Sequence, residues 1–488
     1  MPVMNKMTIV LTLRLYAKRG RITMYRFKIT LALILAVSML SFAAPPLALT
    51  QADATQTYIV LYKQQAALSD AASVIARAGG TLVYSYDKIG VVIARSDSAS
   101  FRDKLLKDKR IEGATSTAGF GVKLNDEIEA FDSASNTSGW GDPLSYLQWD
   151  MYQIHVPEAH AITGGSPTVI VGDIDSGIDY THPDLAANVD FDKSVSCIGG
   201  VPNQDPAAWT DNNGHGTHTA GTIAAAANGI GIVGIAPNVK IAAIKGCGDD
   251  GYCWPEDIVC SFMWAGEHKL DVTNNSYFVD PYEFNCHNDP EQHAIWKAIQ
   301  RAVRYAQSRG VTVVSSAGNS NVDLTHHTDE ITNACNDLPV ELSGVIGVSA
   351  NGYNLQKSYY SSYGVGAVDV VAPGGDRRFQ VPPAPIGNGR VLSTVPGGYA
   401  WAQGTSMSSP HVVGVAALII SQYGKMPPGK VQAMVTQTAD PQPCPPDPFD
   451  PGGTGAWLAT CQGGEGYNSF YGHGQVNAYN AVMHTPGK

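Results

Sequence analysis

The amino-acid sequence predicts an α/β protein: a doubly wound, mostly parallel sheet, preceded by a small ferredoxin-like α+β unit. Three observations carry this expectation. From residue 143 onward, short apolar runs alternate with helical stretches, as parallel strands covered on both faces require. Ahead of them, residues 58–124 order their elements β-α-β-β-α-β, the split βαβ pattern. Between the two lies Asn125–Gly141, rich in Asp, Glu, Ser, Asn and Gly. With 44% hydrophobic residues in a chain of 488, enough apolar surface is available to offset ordering entropy. A disordered chain is excluded.

Residues 1–52 hold seven Lys/Arg and no acid. Arg14, Lys18, Arg19, Arg21, Arg26 and Lys28 precede an uncharged run, Ile29–Ala44, and then Pro45-Pro46-Leu47-Ala48. A basic flank, an apolar stretch and small residues predict a secretory signal peptide and a secreted product. Met24 is an alternative start, and cleavage fits after Ala44, Ala48 or Ala52. The apolar run falls short of the roughly 20 residues that span a bilayer core. No second such run follows, so no stable membrane association is expected.

In residues 53–124, Tyr58–Tyr62, Leu82–Tyr86 and Val91–Arg95 are β-branched and aromatic strand runs. Ala66–Ala78 has helix-like composition and stops at Gly79-Gly80, and Ser98–Lys107 resembles a second helix. The 125–141 segment is expected to be an exposed, cleavable linker. In residues 142–488 the predicted strands are Thr168–Gly172, Lys240–Ile244, Val272–Ser276, Val311–Ser315 and Val345–Ser349, with helices at Thr217–Ala227 and Ile295–Ser308. Functional groups in such a sheet gather at the carboxyl ends of the strands.

Charge narrows the function. The chain carries −11 overall, and beyond residue 52 it has 25 basic residues against 43 acidic. A surface this acidic repels phosphate backbones, which excludes nucleic acid as a partner, and it tolerates cations. All eight cysteines lie after residue 190. An even count in an exported chain predicts disulfides. Cys444 and Cys461 bracket a Pro/Gly-rich excursion and are expected to pair; the other pairings stay open. A zinc cluster would need Cys-x-x-Cys spacing, which is absent.

Four segments carry chemistry. Asp175 ends the strand-like run Val169–Asp175 and is followed by Ser176-Gly177. His215 lies in Asn213-Gly214-His215-Gly216-Thr217-His218, at the opening of an Ala-rich helix. The spacing of His215 and His218, with no intervening Glu, does not match a metalloprotease helix. Asn319 closes Val313-Val314-Ser315-Ser316-Ala317-Gly318-Asn319, and its amide could donate to an oxyanion. Ser406 falls in Gly404-Thr405-Ser406-Met407-Ser408-Ser409-Pro410-His411, ahead of the apolar run Val412–Ile420. A serine there meets the positive end and free N–H groups of a buried helix.

In this order, Asp, His, Asn and Ser, the segments resemble those of the subtilisin-like serine proteases (subtilases). The likeness runs from about Asp142 to Gly472-His473-Gly474-Gln475-Val476-Asn477. It implies a serine endopeptidase with Ser406 as nucleophile, His215 as base, Asp175 as its orienting carboxylate and Asn319 in the oxyanion hole. It further implies that residues 53–124 are a propeptide acting as intramolecular chaperone and inhibitor. A monomer working on protein and peptide substrates, without organic cofactor, is expected. Ser276 is implied to pair with substrate backbone and Ala317 and Gly318 to wall the specificity pocket, with a large apolar residue preferred at P1, the position before the scissile bond. Tyr277 and Phe278 stand where the family more often has Leu-Gly. The loop Gly246–Trp254 is expected to form another groove wall. Asp142, Asp184 and Asn228, with the carbonyls of Ala226, Ile230 and Ile232, match a family Ca²⁺ site of hard oxygen ligands. A peptide ligase sharing the acylation step, or a catalytically silent binding protein, are the alternatives on the same fold.

Overall fold

The computed structural model describes residues 55–66, 69–117, 127–131, 140–325 and 332–484. The basic leader lies outside them, as do parts of the linker and His326-His327. Among the described residues no helix is long and apolar enough to cross a membrane.

The first folded element is an antiparallel sheet of β1 (Gln56–Tyr62), β2 (Thr81–Tyr86), β3 (Val91–Ser96) and β4 (Ile111–Ser116), in the order β2-β3-β1-β4. Two helices cover one face, α1 (Ala71–Ala78) and α2 (Phe101–Leu105). Both are shorter than their composition suggests. α1 opens at Ala71 and stops at Gly79, whose φ of 98° only glycine adopts without strain. Tyr58, Val60, Ile75, Val92 and Phe101 fill the space between sheet and helices.

The 125–141 segment is not featureless. Glu127–Ala130 forms strand β5, which pairs antiparallel with β16 (Gly398–Gln403), a hairpin strand placed just ahead of Ser406. Backbone pairing with an available edge overrides a polar composition that reads as loop.

The main sheet has seven parallel strands: β6 (Ile170–Asp175), β7 (Val195–Ser196), β8 (Lys240–Lys245), β9 (Val272–Asn275), β11 (Thr312–Ser316), β13 (Val345–Asn351) and β14 (Val370–Pro373). Their order is β14-β13-β11-β9-β6-β8-β7. A short ribbon, β10 (Asn285–Cys286) with β12 (Cys335–Asn336), stands apart, as does the hairpin β15 (Val391–Val395) and β16 (Gly398–Gln403). The chain runs from β6 to β8 on one side and then returns to β9 on the other. The crevice for ligands in such sheets lies where the winding reverses, at the carboxyl end of β6.

Two helices cover one face, α3 (His215–Ala224) and α6 (Thr405–Tyr423). The other carries α4 (Pro255–Glu267) and α5 (His293–Ser308). Alternation along β6 explains the split: Val171 joins the core under α3 and α6, while Ile174 joins that under α4 and α5. The second core extends through Ile59, Leu61, Val91 and Ile93, so the N-terminal sheet is seated on α4 and α5. α6 is buried from Thr405 to Ile420, as its continuous apolar run requires.

All eight cysteines are paired: Cys197–Cys260, Cys247–Cys253, Cys286–Cys335 and Cys444–Cys461. The expected Cys444–Cys461 link is among them.

Candidate active site

Asp175 is the last residue of β6, fully buried. Its Oδ1 accepts the Ser176 N–H at 2.7 Å. Nδ1 of His215 lies 2.7 and 2.9 Å from Oδ1 and Oδ2. A carboxylate only accepts, so it holds the proton on Nδ1 and leaves Nε2 as the basic nitrogen.

His215 is the first residue of α3, and its position is set from below. Asp211 Oδ1 accepts the N–H groups of Asn213 and Gly214, both at 2.9 Å, and Oδ2 takes the Thr217 N–H at 2.9 Å. This is a helix N-terminus capped by a carboxylate. Gly216 must be glycine: a Cβ there would lie 2.2 Å from the Gly177 carbonyl. That close approach brings α3 onto the end of β6.

Ser406 is the second residue of α6, 4% exposed. Its carbonyl accepts from Ser276 Oγ at 2.9 Å, and its own Oγ donates to the Ser276 carbonyl at 3.4 Å. Asn319 Oδ1 accepts both the Thr405 N–H (2.8 Å) and the Thr405 hydroxyl (2.9 Å), while Gly318 N–H donates to Thr405 Oγ1 at 3.1 Å. With its oxygen held by the helix terminus, the Asn319 amide is oriented, and its NH₂ is the donor on the opposite side. The predicted segments Ser276, Ala317-Gly318-Asn319 and Ser406 thus share one rim of the sheet.

These segments lie in a stretch that matches a family model. The model, described as the subtilase family, covers residues 166–474. The chain belongs to the subtilase family. Its relatives include Subtilisin BL of Lederbergia lenta, 35% identical over 276 residues, which are 56% of this chain and 84% of that protein. A thermophilic serine proteinase of Bacillus sp. (strain AK1) is 29% identical over 433 residues, 87% of either chain. Among solved structures, the epidermin leader peptide processing serine protease of Staphylococcus aureus is 21% identical and superposes with a TM-score of 0.67, covering 88% of this chain and 98% of that one. The subtilase is a serine endopeptidase by family.

Behind the His–Asp pair lies a residue that sequence reading missed. Asp173, two residues before Asp175 and on the same face of β6, is fully buried. Its Oδ2 accepts from Thr219 of α3 at 2.8 Å and its Oδ1 from Asn274 Nδ2 at 2.9 Å. Asn274 Oδ1 in turn accepts from Ser409 of α6 at 2.7 Å. Asp173 therefore joins the helix of His215 to the helix of Ser406. Burial, then the neighbouring Asp175, pushes its carboxyl well above the usual range. The signal was present: an acid inside an otherwise apolar strand, in phase with Asp175.

Of the two aromatics after Ser276, Tyr277 is turned into the interior. It is buried, with its hydroxyl donating to Asn275 Oδ1 at 2.9 Å. The loop Gly246–Trp254 is closed by Cys247–Cys253 and tied back to β6, because the N–H groups of Gly246 and Cys247 both donate to the Asp175 carbonyl. Its Asp249 accepts from Asn212, three residues before His215.

The expected cation site divides into two parts. Asp142 has both oxygens engaged, accepting the N–H groups of Asn228 and Gly229 at 3.0 and 2.9 Å; it clamps the loop. Asp184 Oδ2 accepts from Ile232 N–H and Tyr399 OH, but its Oδ1 is buried with no hydrogen-bond partner. Burial, the largest influence, raises the Asp184 carboxyl above its usual range. An orphaned carboxylate oxygen among oxygen donors suits a hard cation, so the residues at Asp184 fit Ca²⁺.

Proposed function

We propose that this subtilase is an exported endopeptidase made as a precursor, in which Asp175, His215 and Ser406 act as the catalytic triad. The observation that carries the reading is the bidentate approach of His215 Nδ1 to the buried Asp175, with Ser406 at a helix N-terminus beside Asn319. His215 Nε2 takes the Ser406 proton as Oγ attacks the peptide carbonyl. Asp175 stabilises the imidazolium, which then protonates the leaving amine. Water resolves the acyl-enzyme by the same steps in reverse. Asn319 Nδ2 and the Ser406 N–H hold the oxyanion; loss of such an Asn costs roughly 10²- to 10³-fold in kcat, a magnitude carried over from subtilisin. Ser276 and Gly318 bracket the substrate strand, where main-chain bonds give affinity and pockets give selectivity.

The N-terminal sheet is read as the propeptide. Its seat supports this: Arg301 of α5 donates to the carbonyls of Tyr62 and Ile89 at 2.8 and 3.1 Å and to Glu112 at 2.9 Å. Comparison of wild type with Ser406→Ala tests both claims. Wild type is expected to release peptides from denatured casein and to lose residues before the catalytic domain, as read by N-terminal sequencing. Ser406→Ala is expected to do neither, and a Ser406→Ala protein that still hydrolyses casein overturns the assignment.

A structural Ca²⁺ is inferred at Asp184, with Asn228 and the carbonyls of Ala226, Ile230 and Ile232 as further ligands and Asp142 anchoring the loop. Its role is to bind this loop together, and no step of the reaction passes through it. EDTA is expected to lower the Tm of wild type and to leave that of Asp184→Asn unmoved; an unshifted wild-type Tm removes the ion from the account.

A further inference from the structure

Gly318 opens onto a buried carboxyl. A Cβ built on it would stand 3.4 Å from Asp337 Oδ2 and 3.5 Å from Ser362 Oγ. From the other side, the Val279 N–H donates to the Leu338 carbonyl at 3.1 Å, which brings the segment after Ser276 against the residue after Asp337. Asp337 thus lies between Ser276–Val279 and Ala317–Asn319, the two segments expected to flank a bound peptide beside Ser406.

Asp337 is 2% exposed. Among the described residues no hydrogen-bond donor and no cation reaches its carboxylate. The charges around it are acidic. Glu341 Oε2 accepts the Asp337 N–H at 2.6 Å, and Glu283 Oε1 accepts from Ser320 Oγ at 2.6 Å, next to Asn319. The Cys286–Cys335 disulfide and the β10–β12 ribbon hold this group in place. Burial, then Glu283 and Glu341, push the Asp337 carboxyl well above the usual range, and burial pushes Glu341 up to about 7. A carboxyl in such a place stays protonated until a cation arrives, because an unpaired buried charge is costly. An apolar side chain would leave the carboxyl without a hydrogen-bond partner, and an anionic one would bring a further negative charge into a cluster of acids.

We propose that Asp337 determines specificity at the P1 subsite and that this protease cleaves after Arg or Lys, in place of the large apolar residue the family resemblance implies. The inference rests on the catalytic reading above. A cationic P1 side chain passing Gly318 would meet the Asp337 carboxylate, with Glu283 near the mouth of the pocket favouring its entry.

The test uses the matured protein and fluorogenic peptides that differ only at P1, as Arg, Lys, Phe or Glu. kcat/KM for Arg or Lys is expected to exceed that for Phe by roughly thirtyfold or more, with Glu slowest, and Asp337→Asn to shrink the Arg-to-Phe ratio by about the same factor. Equal rates for Phe and Arg in wild type, or a ratio unmoved in Asp337→Asn, overturn the proposal. If Asp337→Asn does not fold, wild type decides alone: benzamidine, an aromatic amidinium, is expected to compete with substrate, and no competition at millimolar concentration counts against the site. A protein that cleaves none of the peptides and fails to react with a fluorophosphonate overturns the catalytic reading as well; one that reacts yet prefers Phe overturns this inference only.

Discussion

The two faces of the seven-stranded sheet are built on different chemistry. Under α3 and α6, polar side chains run through the interior. Thr219, Asp173, Asn274 and Ser409 form one chain of hydrogen bonds, and Ser276 joins the main chain of Ser406. Under α4 and α5 the core is apolar, from Ile174, Ile258 and Phe262 to Ile299, and continues into Ile59 and Ile93 of the N-terminal sheet. The difference arises within one strand: Asp173 and Asp175 face one way and Ile174 the other. Strand alternation thus turns the two acids of β6 toward the helices of His215 and Ser406, and Ile174 toward the apolar core on the other side. Hydrogen bonds fix the geometry around the acids, and buried apolar area, present on both faces, supplies the strength.

Removing a link on the polar face should do the most damage. Asp173→Val strands the donors of Thr219 and Asn274 in the interior, and about 3 kcal/mol of stability is expected to be lost, read by urea denaturation. Loss below 1 kcal/mol would mean that the polar chain does not bind α3 to α6. On the opposite face Arg301→Met removes three donated bonds without changing the apolar seat. Inhibition of the mature enzyme by residues 53–124 added in trans is expected to weaken by about 2 kcal/mol, or some thirtyfold in Ki. An unchanged Ki would place the whole contact on apolar area.

The smallest effect is the most diagnostic. Asp173 holds its proton more tightly in the native state than in the unfolded chain. Its stabilisation is therefore complete below the ordinary carboxylate pKa of about 4 and is lost as pH rises toward the raised native value. Asp173→Asn is expected to flatten the fall of Tm with pH in that range. A parallel curve for wild type and variant would show that Asp173 is ionised throughout.

What the sequence made legible follows the same division. Asp175, His215, Asn319 and Ser406 stood out because each sits where an apolar run meets Gly or Ser, so the end of a strand or the start of a helix was readable around it. Asp173 lay inside such a run and passed as part of the strand. Asp337 could not be read at all. It is far from Gly318 in the chain, and the β10–β12 ribbon that brings it there rests on a disulfide whose partners spacing alone could not choose. The strands β7 and β14 span two and four residues, too few to show a pattern, and β5 is a strand only because β16 offers an edge. Asp142 stands beside the expected cation site, and the bonds its oxygens accept from the backbone N–H groups of Asn228 and Gly229 are bonds no sequence pattern announces.

The convergence of Asp175, His215 and Ser406 is tested most directly by reacting the folded protein with a fluorophosphonate and mapping the adduct by mass spectrometry. A single adduct on Ser406, formed at full occupancy by wild type and suppressed in His215→Ala, is the predicted result. Labelling of another serine, or equal labelling of Ser406 in His215→Ala, would contradict it.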